Sequence, residues 1–417
     1  MPTNAGLLLR GGRVVGGRGR PPESVDIAID RDGRIARLGP ALPDRGEDVI
    51  DLAGRLVTPG LVDMHQHLDK SLTVRDAPNP SGTLLGAIEA FRRHAATLPR
   101  QEIVHRALAT VETCVRHGTV AIRTHANVDL ELGLTSIDAM LEVKERCRNL
   151  LHLDIVAFVA SGGAPIGLRD ARVLLEAGLD AGADTVGGAP DFAEDPEAFM
   201  AMVLEVAARR GRRVDLHLDE NLDPSQCRLP ALAARTRDMG LQGLVVASHC
   251  CSLSALDNVA ALEAIAAAAE AGIGVVTLPA ANLFLQARHQ PRLPPRGLTR
   301  VKELLDGGVS VATASDNIRD AFVPVGSGDL LEIARWTILA GHLLVDAPTY
   351  AFDMITEAPA RLMGLEGYGM REGAWADLLI SESEDVDDLV SRGPLDRVVL
   401  FHGRIAAGHL PNSHPGR

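Results

Sequence analysis

The stretch GLVDMHQHLDK, Gly60 to Lys70, decides how the chain is read. Leu61, Val62 and Met64 read as a buried strand, yet two histidines and an aspartate crowd its end. Polar groups there are costly unless something pairs them. In a strand, residues i and i+2 point to the same side, so His65 and His67 project together, as a chelating pair needs. An open, doubly wound sheet would normally carry a glycine-rich phosphate loop after its first strand. Here HQHLDK stands in that place and no GxGxxG follows.

Working outward, short apolar strands alternate with longer helical patterns. The strand candidates are GLVDMH, TVAIRTH, LDIVAFV, DTVGGAP, RVDLHLDE, GLVVASH, GIGVVTLP and VSVATASD. Amphipathic or Ala/Leu-rich stretches such as TLLGAIEAFRRHAATL and PEAFMAMVLEVAARRG follow most of them. Continuous apolar runs suit parallel strands buried on both faces. Eight strand–helix repeats predict a (β/α)₈ TIM barrel, with the open doubly wound sheet as the alternative. The first 58 residues and the last 52 read differently, as short strands broken by Gly and Pro, with Asp32-Gly33 as a hairpin signal. Both ends carry a GRI turn, and they are expected to close into one β-sandwich domain, residues 1–58 plus 366–417, around a barrel domain at 59–365.

Composition narrows the class. The 417 residues are 46% hydrophobic and 23% charged, ordinary for a globular protein. A net charge of −13 argues against a nucleic-acid partner, which favours a basic face. No window approaches the roughly 18 apolar residues of a membrane span, and the N-terminal apolar run is too short for a signal peptide. A cytoplasmic protein acting on a small molecule is expected, as a homo-oligomer. Five cysteines without a CxxC pair argue against a disulfide framework or a structural zinc cluster. Cys250 and Cys251 are therefore read as packing residues.

In a barrel, the carboxyl ends of the strands face the active site. His65 and His67 end the first strand; Arg123, Thr124 and His125 the second; His217, Asp219 and Glu220 the fifth; His249 the sixth; Asp316 and Asn317 the eighth. Three imidazoles and a carboxylate, His65, His67, His217 and Asp316, make a good set for one divalent ion, Zn²⁺ or Fe²⁺. Such an ion lowers the pKa of water and supplies a hydroxide nucleophile. Proton traffic then needs a positioned group: Glu220 for the substrate, Asp316 for the water, and His249 to polarise the group under attack.

These residues resemble the amidohydrolase superfamily, and within it the cytosine deaminase-like branch. TPGLVDMHQHLDK, RTHANVD, LHLDENLD, ASHCCSL, RGLTRVKELLDGGVSVATASDN and ADLLI…GRIAAG follow in family order through almost the whole chain. The resemblance implies a distorted barrel with a β-sandwich built from both chain ends. It implies hydrolytic deamination at an amidine-like ring carbon, with His65, His67, His217 and Asp316 on the metal. Glu220 would shuttle protons, and His249 would orient the oxygen. Many superfamily members bridge two metals with a carboxylated lysine at the end of strand four. ADTVGGAPD has none, and the chain's only lysines are Lys70, Lys144 and Lys302, so a single ion is expected. Where cytosine deaminases carry a glutamine after strand three, this chain has Ala160, and Asn317 replaces an acidic residue. HLDKS and ASDNIRD resemble instead the branch that removes alkylamines from s-triazine rings (isopropylammelide aminohydrolases). The substrate is thus expected to be an aminopyrimidine or related cyclic amidine, with an N-alkylamino-triazine or a cyclic amide as the alternative. A non-catalytic scaffold would have lost metal ligands. Phe158 and Phe322 are candidates to sandwich a planar ring, and Asn317 and Arg319 to read its substituents. Asp69, Lys70 and His125 are open between substrate contact and scaffold.

Overall fold

A computed structural model describes residues 6–160, 165–344 and 346–410. Ser161, Gly162 and Gly163 of the stretch after the third barrel strand lie outside the described residues.

The chain-end strands are β1 (Leu7–Val14), β2 (Glu23–Ile29), β3 (Ile35–Gly39), β4 (Asp48–Asp51) and β5 (Leu56–Pro59). The barrel strands are β6 (Leu61–Gln66), β7 (Thr119–Val128), β8 (His152–Val159), β9 (Thr185–Gly188), β10 (Val214–Leu218), β11 (Val245–His249), β12 (Gly274–Thr277) and β13 (Val311–Thr313). After them come β14 (Leu378–Ser381), β15 (Arg397–Phe401) and β16 (Arg404–Ala407).

All eight strand candidates therefore form, and they pair in parallel in sequence order from β6 to β13. The ring closes at the first motif. Asp316 N donates to His65 O at 2.8 Å, and His67 N donates to Asp316 O at 3.2 Å. The apolar runs explain the burial: every residue of β6, β9, β10, β11, β12 and β13 is buried, because one face meets the barrel interior and the other the helices. The intervening helices start where capping chemistry directs. Asp195 accepts from Ala198 N before Pro196–Arg210, and Asp257 accepts from Val259 N and Ala260 N before Asn258–Glu270.

The two chain ends meet in one mixed eight-stranded sheet, ordered β16-β15-β14-β5-β1-β2-β3 with β4 on β1, rather than remaining separate hairpins. The join is antiparallel pairing of β5 with β14, Thr58 opposite Leu379. The Asp32-Gly33 turn links β2 to β3, and Gly33 adopts φ +87°. A Cβ there would lie 2.1 Å from His402 O, so glycine lets the N-terminal turn pack on the C-terminal hairpin.

Candidate active site

The period-two pattern of β6 places both histidines inside the barrel mouth. His65, His67, His217 and Asp316 are all buried, and one ligand atom from each lies within 4.8 Å of the others. His67 Nε2 is 3.0 Å from His217 Nε2, while Asp316 Oδ1 is 3.5 Å from His65 Nε2 and 3.4 Å from His67 Nε2. These carboxylate contacts are longer than good hydrogen bonds. Among the described residues, His65 Nε2 has no hydrogen-bond partner although buried. Burial first, and the neighbouring imidazoles next, hold His217 well below its ordinary pKa, so its ring is neutral. His67 is neutral for the same first reason, followed by the charge of Lys70. For Asp316, burial pushes upward, but the neighbouring imidazoles, His65 first, outweigh it and hold the carboxyl below its ordinary pKa.

A chain of hydrogen bonds sets the His65 tautomer. Ser248 Oγ donates to Asp215 Oδ1 at 2.9 Å, so it accepts from His65 Nδ1 at 3.0 Å. The lone pair of Nε2 is then left facing the cluster, the form a metal ligand needs. Asp215 is held in turn by Arg123, whose Nη1 donates at 3.1 Å, while Arg123 Nε donates to Asp154 at 3.0 Å. The converging, unpartnered nitrogen and the ionised carboxylate fit a divalent cation. A second group of metal-ligand type, His65, His125 and Asp215, shares His65 with the first. The Arg123 guanidinium on Asp215 opposes a second cation there.

Beyond the cluster, Asp219 takes φ +56° and spends its carboxylate on Arg228 N and Leu229 N, at 2.8 and 3.3 Å. That turn brings Glu220 to the cavity, and Gln286 Nε2 holds its backbone carbonyl at 3.0 Å. Burial, and then the charge of Asp316, raise Glu220 well above the usual carboxylate range. His249, at φ +70°, lies with Nδ1 3.6 Å from Glu220 Oε1. Asn282 Nδ2 donates to that Nδ1 at 3.1 Å, leaving the hydrogen on Nε2. Burial lowers the His249 pKa to about 3, so the ring is neutral. Left-handed backbone at Asp219, His249 and Asp316 is strain of order 1–3 kcal/mol each, tolerated where site geometry demands it.

The cavity of about 730 Å³, counted to its mouth, is lined by His67, His217, Glu220, His249, Asp316 and Asn317 at the polar end. Phe158, Ala160 and Phe322 also line it. Phe158 stacks obliquely on His217 with centroids 4.3 Å apart. Asn317 Nδ2 donates to Asp320 at 2.6 Å. Arg319 departs from expectation: it is exposed and does not line the cavity, because its backbone, at φ +53°, is tied to Val74 and Val325. Asp69 belongs to the scaffold, accepting from Asn127 N at 3.1 Å. Lys70 lines the cavity and donates to Asn127 Oδ1 at 2.7 Å, with Nζ 3.1 Å from His67 Nδ1. His125 lies behind the cluster, its ring 4.0 Å from that of His65, and does not line the cavity. Cys250 and Cys251 are buried, which raises both thiols well above their ordinary pKa and away from nucleophilic use.

Ser248, Asp215, Asn282 and Gln286 are the members that motif reading missed. Asp215 alone was signalled, by its period-two alternation with His217 and Asp219 in DLHLD.

A profile of the amidohydrolase family matches residues 48–407. The chain belongs to the amidohydrolase family. It is 33% identical over 411 residues to the pterin deaminase of Rhizobium rhizogenes, covering 96% of this chain and 92% of that protein. It is 30% identical to the N-isopropylammelide isopropyl amidohydrolase of Pseudomonas sp., covering 86% and 87%. Among solved structures, 5-methylcytosine deaminase from Klebsiella pneumoniae liganded with 5-fluorocytosine superposes with a TM-score of 0.89 and 30% identity. That match covers 98% of this chain and 99% of the other. This amidohydrolase therefore has relatives on both sides of the motif comparison, ring deaminases and a triazine aminohydrolase.

Proposed function

We propose that this amidohydrolase is a metal-dependent hydrolytic deaminase of amino-substituted nitrogen heterocycles, adding water across an exocyclic C–N bond and releasing ammonia. The observation that carries the reading is the buried Glu220 carboxyl beside His249, with Oε1 3.6 Å from Nδ1, at the rim of four buried ligand side chains. The ring deaminases among its relatives, one for pterin and one for 5-methylcytosine, support it.

His65, His67, His217 and Asp316 hold one divalent ion, Zn²⁺ or Fe²⁺, since imidazole and carboxylate suit both. When bound, the ion supplies Lewis-acid activation of water near neutral pH. At the end of β9, where a bridging lysine would be needed for two ions, the sequence runs Gly187, Gly188, Ala189, and the residue that lines the cavity is Ala189. Asp316 accepts the proton of the attacking water. Glu220 donates its proton to the ring nitrogen, then takes the hydroxyl proton of the tetrahedral adduct as the C=O forms and passes it to the leaving amine, and the proton held by Asp316 restores the Glu220 carboxyl. His249 presents Nε2–H to the oxygen that acquires charge at carbon. Phe158 packs on the ring face, and Phe322 and Asn317 complete the wall.

A second reading, release of an alkylamine instead of ammonia, is supported by the triazine relative and by Asn317 beside Asp316. Incubation of the metal-loaded protein with aminopyrimidines, pterins and N-alkylaminotriazines, with detection of ammonia and of alkylamine, separates the two. If no member of the panel releases amine above the metal-stripped protein, both fail. The chain is further proposed to act in the cytoplasm and as a homo-oligomer; sedimentation of the purified protein tests the oligomeric state.

Metal binding tests the second layer of the site. Ser248→Ala removes the group that fixes the His65 tautomer, and such outer partners are worth about 10–100-fold in metal affinity. Chelator competition is expected to show a loss in that range, with the fold unchanged by circular dichroism.

A further inference from the structure

The metal cluster occupies only one end of the cavity. Among the described rings, Phe158 touches the imidazoles, 4.3 Å from His217 and 5.6 Å from His67, whereas Phe91 touches none of them. Lys70 Nζ lies between these two zones, 5.8 Å from the Phe158 ring and 5.3 Å from the Phe91 ring. Past it, the lining is supplied by the helix Leu84–Ala95 and the segment after β7. Leu84, Ile88 and Phe91 fall at spacings of four and three, so they share one face of that helix. All three, with Leu132, line the cavity; Arg92 and Asp129 line it too, but Arg92 Nε donates to Glu131 and Asp129 accepts from Glu131 N and Leu132 N. The helix is anchored by small residues, Ala87 and Ala90 packing with Ala77 and Ala321, which leaves its larger apolar side chains to the cavity. Leu84 and Ile88 are only half-buried. Apolar side chains kept half in water at a cavity wall gain when a ligand covers them.

The cavity also runs on past the reacting end, to Leu84, Ile88 and Phe91. Catalysis at Glu220 and His249 needs only the reacting ring, so the outer wall serves the rest of the molecule. Binding energy from such non-reacting parts can be used to orient the reacting carbon.

We infer that Leu84, Ile88, Phe91 and Leu132 form an outer subsite for an uncharged, planar extension of the substrate, so that the preferred substrate is a fused or ring-extended amino-heterocycle rather than a single pyrimidine. The inference rests on the proposed deaminase reading but has its own test. Metal-loaded wild-type protein and the variants Ile88→Trp and Ile88→Ala are compared for binding and turnover of 2-amino-4-oxopteridine and of cytosine. Binding is read by pteridine fluorescence and, for cytosine, by displacement. The wild type is expected to bind the pteridine at least tenfold more tightly. Ile88→Trp, which fills the subsite, is expected to cut the pteridine-to-cytosine ratio at least tenfold. Ile88→Ala, which removes the contact without adding bulk, is expected to cut it at least threefold. Equal wild-type affinities, or a ratio that stays within twofold of wild type in both folded variants, would overturn the inference. Because binding is read apart from turnover, absence of amine release with intact selective binding counts against the deaminase reading and not against the subsite.

Discussion

Replacing Glu220 with glutamine is expected to lower kcat by roughly 10²–10⁴-fold, the usual worth of a positioned acid–base group, while metal content stays that of wild type. Glutamine keeps the shape and a hydrogen-bonding end but cannot pass a proton. Glu220 is not among the four converging ligand side chains, so the loss should appear without loss of the ion. Its burial and then the nearby charge of Asp316 raise its pKa well above the usual carboxylate range, which suits a donor to a ring nitrogen. Steady-state kinetics with metal analysis on the same preparation reads both quantities. An equal fall in metal content would move Glu220 from proton carrier to ligand.

The second large effect is on the fold. Arg123 is fully buried and bridges Asp154 and Asp215 inside the barrel. For Arg123 itself, burial works downward, but the two carboxylates raise its pKa and keep it charged. Removing one partner of a buried ion pair leaves an uncompensated charge and costs about 3–5 kcal/mol. Arg123→Met leaves two such carboxylates, so a loss of at least about that size is expected in denaturant unfolding, against a total that is commonly 5–15 kcal/mol. The damage should reach the site. Burial works to raise the Asp215 pKa, and its neighbour His125, with Nε2 3.5 Å from Oδ1, and then Arg123 outweigh it. Without the guanidinium, Asp215 gains a reason to take up a proton, Ser248 loses its ionised acceptor, and His65 loses its fixed tautomer. Weaker metal binding should therefore accompany the lower stability. A variant as stable as wild type would show that the triad is dispensable.

Much of this was legible in the linear sequence because it depends on short-range geometry. Continuous apolar runs marked the eight parallel strands, since burial on both faces leaves no alternation. The one-residue gap between His65 and His67 marked a shared direction, since the strand period is two. Alignment of strand ends then brought His217 and Asp316 to the same mouth. What the sequence hid depends on register across the barrel or on backbone turns. Ser248 meets His65 only because β10 and β11 pair with His217 opposite Ser248. Glu220 faces inward and Asp219 does not because Asp219 turns through positive φ. A similar positive-φ turn at Arg319 sent its side chain to solvent. The outer wall was hidden for another reason: Leu84, Ile88 and Phe91 read as an ordinary amphipathic helix, and only the fold shows that this face meets a cavity.

The most direct test of hydrolytic deamination is the fate of water oxygen. With metal-loaded protein in H₂¹⁸O and an amino-heterocycle that it turns over, mass spectrometry should find one ¹⁸O on the ring carbon for each molecule of amine released. Amine release without ¹⁸O in the ring product, or ¹⁸O uptake with no amine released, would contradict the account.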